Sequence, residues 1–219
     1  MPSFLPLQHE RLAPDESARR ATAFADHMAR RRTTRHFSPE PVPRVWIAEA
    51  IRAAGTSPSG AHQQPWTFVA IGDAALKAQL RAAAEEEERA FYAHRITPEW
   101  RAALAPLGTD AVKTHLTDAP WVVVLFRHSH GVDAGGGKRT YYYTQESCGI
   151  AAGLFITAVH TMGLVTLTHT PSPMAFLGEV LGRPAHEKAF LVMPVGYPAV
   201  DARVPDLVRK PLDAIAVWR

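Results

Sequence analysis

The sequence predicts a single globular domain, residues 1–219, in which helices and strands alternate irregularly. Three observations predict it. The chain has 219 residues and is 47% hydrophobic, enough to close a substantial core. Trp121 to Phe126 is continuously apolar, as a strand buried on both faces requires. Several stretches repeat apolar residues at helical spacing, the longest from Tyr141 to Met162. No apolar run approaches a membrane span, and an N-terminus holding His9, Glu10, Asp15 and Glu16 lacks the apolar stretch of a secretion signal. The expectation is a cytoplasmic protein with no membrane partner.

Taken in order, Asp15 is placed to cap a helix running to about Arg32, and Pro43 suits the first turn of a second that ends at Gly55. Trp66 to Ile71 reads as a strand. Asp73 then caps a long helix through Leu76, Leu80 and Ala84, across the acidic run Glu85 to Glu88, to Tyr92. Thr97 to Thr117 holds one or two short helices broken by Pro98, Pro106 and Gly108, the pattern of a mobile cover; residues 86–118 are expected to form a lid. Gly163 is a C-cap candidate for the Tyr141–Met162 helix, whose Gly149, Ala152 and Gly153 suit close packing on a partner helix. Leu164 to Thr168 is a strand, Ser172 caps a helix ending at Gly182, and Lys188 to Tyr197 is the last strand. Residues 199–219 are extended and broken by prolines, yet apolar at Ile215, Val217 and Trp218. Such a tail needs cover, which another subunit's sheet edge would supply.

Two segments carry binding chemistry. Thr56 to Trp66 joins a helix to a strand with far more turn chemistry than that connection needs: Pro58 and Pro65 fix their own φ, Gly60 permits close backbone approach, and Ser59, Ala61 and His62 are left to offer donors. Arg30 to Arg35 follows the first helix. A basic run there is commonly a solvated face or a complement to the helix dipole, but interleaved Thr33 and Thr34 also make it a phosphate cradle.

Other classes are excluded. A formal charge of +3 with 21 acidic residues leaves no broad basic stripe, so no nucleic-acid partner is expected. Gly135 to Lys138 fails the phosphate-loop pattern, since Val132 stands where the first glycine belongs and Arg139 follows the lysine; a strand-to-helix loop explains it. No G-x-G-x-x-G follows a strand. His128 and His130 lack a third ligand, so no metal is expected, and the lone Cys148 reads as a buried inert thiol.

Arg31-Arg32-Thr33-Thr34-Arg35, Pro58-Ser59-Gly60-Ala61-His62, Gly163-Leu164-Val165-Thr166-Leu167-Thr168-His169-Thr170-Pro171 and Pro205-Asp206-Leu207-Val208-Arg209-Lys210-Pro211-Leu212, in this order and spacing, resemble the nitroreductase superfamily. Glu88, Tyr92 and Lys113 in the cover narrow the resemblance to its iodotyrosine deiodinase family. A flavin-cleaving enzyme of cobalamin lower-ligand synthesis shares the arginine-rich start and the Ser-Gly loop, so the cover discriminates. The resemblance implies α+β subunits with a central mixed sheet flanked by helices, joined as a domain-swapped homodimer with one FMN in each of two interface sites. It implies that Arg31, Arg32, Thr33, Thr34, Arg35 and Arg209 hold the phosphate and ring edge, that Pro58, Ser59 and Gly60 come from the other subunit, and that Thr168, His169 and Thr170 line the isoalloxazine. Thr168 is the catalytic candidate, its hydroxyl facing flavin N5. Without the resemblance, Thr166, Thr168 and Thr170 are one polar strand face.

Glu88 and Tyr92 stand four apart on one helix face, with Lys113 on the following segment. As the family uses them, they bind a free amino acid: a carboxylate for the ammonium, a phenol and a lysine for the carboxylate. Glu85, Glu86 and Glu87 read as a solvated face. The Ala61 N–H and a flavin ribityl hydroxyl would meet a phenolate, favouring halogenated over plain tyrosine because the halogen acidifies the phenol. His169 replaces a Thr of the animal enzymes, Gln145 a Glu, and their membrane anchor is absent. The implied activity is reductive dehalogenation of iodotyrosine and bromotyrosine through single-electron steps from reduced FMN, itself reduced by NAD(P)H or a separate flavin reductase. Rival readings are a broad-substrate nitro- or quinone reductase, which needs no Glu88–Tyr92–Lys113 set, and a non-catalytic flavin-binding sensor.

Overall fold

Among the described residues six strands form: β1 (Trp66–Ile71), β2 (Trp121–His128), β3 (Gly131–Val132), β4 (Lys138–Arg139), β5 (Val165–Thr166) and β6 (Glu187–Gly196). The computed structural model describes residues 2–219, in two compact units, one ending at Arg31 and the other Arg32–Arg219. In the larger unit β1, β2, β6 and β5 lie side by side in that order. Every ladder is antiparallel, and the parallel component is a single bridge between Thr33 and Thr166.

The apolar run of β2 makes it the central strand. Val122 to Phe126 are wholly buried, and their side chains alternate between two cores. Val123 and Leu125 meet Ile47 of helix α2 (Arg44–Ala54) and Phe155, while Val122, Val124 and Phe126 meet Leu80, Leu116 and Leu177. Two-sided cover suits β-branched and apolar residues, which is why alternation fails in this sequence and a continuous run replaces it. Pro43 and Gly55 flank α2 as expected, and β1 has the predicted bounds.

Helix α1 (Pro14–Ala29) begins with Pro14 in its first turn, so Ala13 occupies the cap and Asp15 lies inside. It ends short of the expected Arg32, because the Arg30 and Arg31 N–H groups turn back to the carbonyls of His27 and Met28. Asp73 does cap α3 (Ala74–Ala90), its Oδ1 accepting from Leu76 N at 2.7 Å. The helix widens into a π turn over Phe91–Arg95, after which come α4 (Pro98–Leu104) and the one-turn α5 (His115–Asp118).

Four expectations need correction. The Gly135–Lys138 stretch is the tip of the β3–β4 hairpin, where Asp133 Oδ1 accepts from the N–H groups of Gly135 and Gly137 at 2.9 and 2.8 Å. Helix α6 (Thr144–Thr161) starts later than Tyr141 because Tyr143 takes φ 51°; its end is as expected, with Gly163 at φ 76°. Ser172 caps nothing: α7 (Ala175–Val180) starts after Met174 with no side-chain cap. The strand expected over Leu164–Thr168 contracts to β5. Leu167 and Thr168 leave the ladder before His169 rejoins β6 through two hydrogen bonds with Val192, at 2.8 and 2.9 Å.

Residues 199–219 form no strand, only a 3-10 turn at Leu212–Ala214, and expose Leu207, Val208, Leu212, Ile215, Val217 and Trp218. No helix among the described residues is long and apolar enough to cross a membrane. Cys148 is buried, and that burial pushes its thiol up to about 12.

Candidate active site

Where Leu167 and Thr168 step out of the ladder, a cavity of about 230 Å³ opens between that segment and the chain from the end of α3 to α5. Seven predicted site residues line it: Arg35, Glu88, Tyr92, Lys113, Thr168, His169 and Thr170. Arg35 is delivered by the Thr33–Thr166 bridge and by the Thr34 N–H, which donates to Thr166 O at 3.2 Å. Phe91, Trp100, Leu104 and Leu107 give the opposite wall an apolar surface suited to a ring.

The charges in this cavity are paired. Glu88 Oε2 lies 3.3 Å from Lys113 Nζ, and Glu88 Oε1 lies 3.2 Å from His169 Nε2. Lys113 Nζ also donates to Thr109 Oγ1 at 3.3 Å and to the Asp110 carbonyl, and it stands 5.8 Å over the Tyr92 ring. The Tyr92 hydroxyl donates to Thr109 O at 3.3 Å. Burial opposes the Glu88 charge, but the His169 bond and the Lys113 charge prevail and hold its carboxyl below the ordinary value. Burial raises the Tyr92 phenol.

Arg35 differs. Among the described residues no carboxylate or carbonyl accepts a hydrogen bond from its guanidinium, and burial lowers its pKa. A half-buried guanidinium without a counter-charge is a site for an anion or an electron-rich ring edge. His115, edge-on to His169 with ring centroids 5.1 Å apart, is driven down to about 3, by burial first and then by its neighbours His169, Lys113 and Arg35. Among the described residues, nothing forms a hydrogen bond with the buried His115 Nε2 or His169 Nδ1.

The remaining predicted residues lie elsewhere. Arg31 belongs to the N-terminal unit. Arg32 donates through Nη2 to Pro205 O, tying the tail to the start of the larger unit. Arg209 is exposed on that tail. Pro58, Ser59, Gly60 and Ala61 do not line the cavity. Their loop is seated on the start of α6: Gln63 Nε2 donates to Thr140 O at 2.9 Å, Gln63 Oε1 accepts from Tyr142 N at 2.8 Å, and Gly60 N donates to Ser147 Oγ at 3.4 Å. Ala61, His62 and Gln64 all hold positive φ, a run of left-handed backbone costing about 1–3 kcal/mol per residue that the clamps must offset.

Four residues escaped the sequence reading: Glu85, Glu87, His115 and Lys77. Glu85 is not a solvated acid: its Oε1 accepts from Lys113 N at 2.9 Å and lies 2.7 Å from Arg81 Nε, so it positions the backbone that carries Lys113. Glu87 likewise pairs with Arg95 at 3.0 Å, while Glu86 is exposed. His115 gave no signal because its role depends on burial. The i to i+4 spacing of Arg81 and Glu85 was a readable sign of pairing. Lys77, also buried, donates to Ala119 O at 2.6 Å and reaches the carbonyls of Thr117 and Pro120 at 3.4 and 3.5 Å.

Residues 28–197 match the family model described as the nitroreductase family. The chain belongs to that family. Within it, the similarity is to iodotyrosine deiodinases: the protein of that name from Haliscomenobacter hydrossis is 46% identical over 99% of this chain and 97% of its own length. Human iodotyrosine deiodinase 1 is 42% identical over 97% of this chain and 74% of its length. Among solved structures, oxidized iodotyrosine deiodinase bound to FMN and 3-iodo-L-tyrosine shares the fold, with a TM-score of 0.76 and 24% identity over 89% of this chain and all of that one. A BluB-like flavoprotein from Clostridium difficile shares it more distantly, with a TM-score of 0.67 and 19% identity over 89% of this chain and 98% of that one. As a nitroreductase-family member of the deiodinase branch, the chain is an oxidoreductase with the α+β fold its sequence predicted.

Proposed function

We propose that this chain is an FMN-dependent reductive dehalogenase of halogenated tyrosine, accepting iodotyrosine and bromotyrosine, and that it works in the cytoplasm as a domain-swapped homodimer. One observation carries the reading: Glu88, Tyr92 and Lys113, the groups that match the two charges of a free amino acid, meet in one buried cluster beside the unpaired Arg35 guanidinium. A small nitroaromatic or quinone offers neither charge, and a non-catalytic sensor has no use for them.

The residues present fit FMN. Arg35 lacks a counter-charge, and Thr168 and Thr170 are exposed polar groups on the same wall of the cavity, where they would be available to a flavin edge. When bound, reduced FMN supplies two electrons, one at a time, which with one proton replace a carbon–halogen bond by carbon–hydrogen and free halide. The chain's own groups do the rest. Thr168 would present its hydroxyl to the flavin. Arg31, Arg32, Thr33, Thr34 and Arg209 would complete the phosphate and ring-edge contacts with Arg35, and His169 and Thr170 would line the ring. Glu88 takes the ligand's ammonium, while Lys113 and Tyr92 take its carboxylate. Residues 86–118 act as a lid whose apolar wall excludes water from the stacked rings.

The loop from Pro58 to Ala61 stands apart from the cavity, and this supports a role at the partner's site, with Ser59 and Gly60 on the flavin and the Ala61 N–H on the substrate phenolate. Exposed Ile150 and Leu154 beside Gly149 and Gly153 on α6 support a helix interface, and the uncovered apolar tail 199–219 supports wrapping of the second subunit. The physiological reductant in this reading is NAD(P)H or a separate flavin reductase.

The test is anaerobic titration of the reduced yellow protein with iodotyrosine, bromotyrosine, nitrotyrosine and a nitroaromatic lacking the zwitterion. Rapid reoxidation with release of halide by the two halotyrosines is expected. Reoxidation by the simple nitroaromatic alone would leave a broad nitroreductase, and a protein that binds no FMN would overturn the reading altogether.

A further inference from the structure

The Glu88 carboxylate is shared between two donors on different elements, and they are not equivalent. Lys113 comes from the cover side, the segment between α4 and α5. His169 comes from the sheet side, its backbone fixed by two hydrogen bonds to Val192 and its side chain buried. If Lys113 is to meet a ligand carboxylate, as the function proposed above requires, it must turn away from Glu88. His169 is then the remaining protein donor that fixes the direction of that carboxylate, since no other side chain donates to it among the described residues.

We infer that His169 is a positioning residue for the ammonium subsite, holding Glu88 Oε1 through its Nε2–H so that Oε2 is aimed at the ligand when Lys113 leaves. The inference rests on the zwitterion-binding reading of this cluster. Chemistry favours a neutral imidazole for the task. A charged donor would neutralise the carboxylate it orients and compete with the ammonium, whereas a neutral N–H fixes its geometry and leaves its full charge to the ligand. The surroundings keep His169 neutral: burial comes first, and Lys113 and Arg35 oppose its charge while Glu88 alone favours it. His115, edge-on to its ring, is itself uncharged except in strong acid. With the proton on Nε2, the His169 Nδ1 lone pair is the buried nitrogen left without a partner.

Three substitutions of His169 in the FMN-loaded protein test this. His169→Leu keeps the bulk and loses the donor. His169→Gln carries an N–H at about the reach of Nε2, and His169→Asn carries one that falls short. Expected is a rise of about tenfold in both KM and Kd for iodotyrosine in the Leu and Asn variants, the loss of one aligned charge-assisted bond. His169→Gln should restore most of that affinity. Binding of 2-iodophenol, which has no ammonium, should weaken far less than that of iodotyrosine in the Leu and Asn variants and should not follow the Gln rescue, read from quenching of flavin emission at equal FMN occupancy. Unchanged iodotyrosine affinity in the Leu variant, a Gln variant as weak as Leu, or an equal loss for 2-iodophenol would each overturn the inference. Wild-type protein that loads FMN but neither binds nor turns over iodotyrosine would instead sink the functional reading on which it depends.

Discussion

The charged cluster in the cavity and the Pro58–His62 loop are built on opposite plans. Glu88, Lys113 and His169 are buried, come from three separate stretches of one chain, and satisfy one another. The loop is largely exposed, its backbone is strained at Ala61 and His62, and its clamps are its own Gln63 and the start of α6. A buried charge must be compensated within the subunit, because an isolated one costs several kcal/mol before any partner arrives. An exposed donor loop carries no such cost. Pro58, Ser59, Gly60 and Ala61 lie outside the cavity of their own chain.

That contrast can be broken in order of expected effect. The largest belongs to the uncompensated guanidinium: Arg35→Ala should weaken FMN binding by roughly 1.5 to 3 kcal/mol, seen as loss of yellow colour per chain on purification, whereas retained flavin would remove Arg35 from the cofactor site. On the loop side, a Cβ on Gly60 would fall 2.5 Å from the Tyr142 carbonyl oxygen. Gly60→Ala should therefore unseat the loop at about 1–3 kcal/mol of thermal stability, lower halotyrosine turnover, and leave cluster geometry intact. Next, Glu88→Gln and Lys113→Gln should each weaken halotyrosine binding about tenfold and spare a simple nitroaromatic; equal losses for both ligands would make the cluster structural only.

Acid titration sharpens the comparison further. His115 has a folded value of about 3 against an ordinary 6.5. Between those two values only the unfolded chain takes up its proton, so stability is full above the upper value and declines as pH falls toward the lower. The slope is roughly 1.4 kcal/mol per pH unit. His115→Leu should flatten that part of the stability curve, and an unchanged curve would show that His115 does not govern it. Smallest is Thr168→Ala: with FMN retained, dehalogenation should slow several-fold, as loss of about 1 kcal/mol implies, and nitroreduction should not. Equal rates for wild type and variant would leave Thr168 as part of a polar strand edge.

What could be read from the sequence was what local pattern determines. The continuous apolar run of β2, the Asp73 cap and the αL glycine at 163 each follow from a few neighbouring residues, and each is where it was expected. Ser172 shows the reverse: a good capping residue that caps nothing, because the chain does not turn helical until Ala175. The glycine run at 135–137 fits a hairpin tip or a strand-to-helix loop equally well, and it is Asp133 that closes the hairpin. In the site, the four-residue spacing of Glu88 and Tyr92 was legible as a shared face. The convergence of Lys113 and His169 on Glu88, with His115 edge-on to the His169 ring, was not, since it links positions up to 81 residues apart. Glu85 and Glu88 look alike in an acidic run; only the fold shows that one holds a backbone N–H and the other a lysine side chain.

The buried ammonium of Lys77 gathers the carbonyls of Thr117, Ala119 and Pro120, where the cover re-enters the sheet. If residues 86–118 move as the proposed lid, that motion should stop at this knot. Proteases and exchanging deuterium should find the amides between residues 96 and 112 long before those at 117–120, and the flap should swing from one fixed post without pulling β2 out of register.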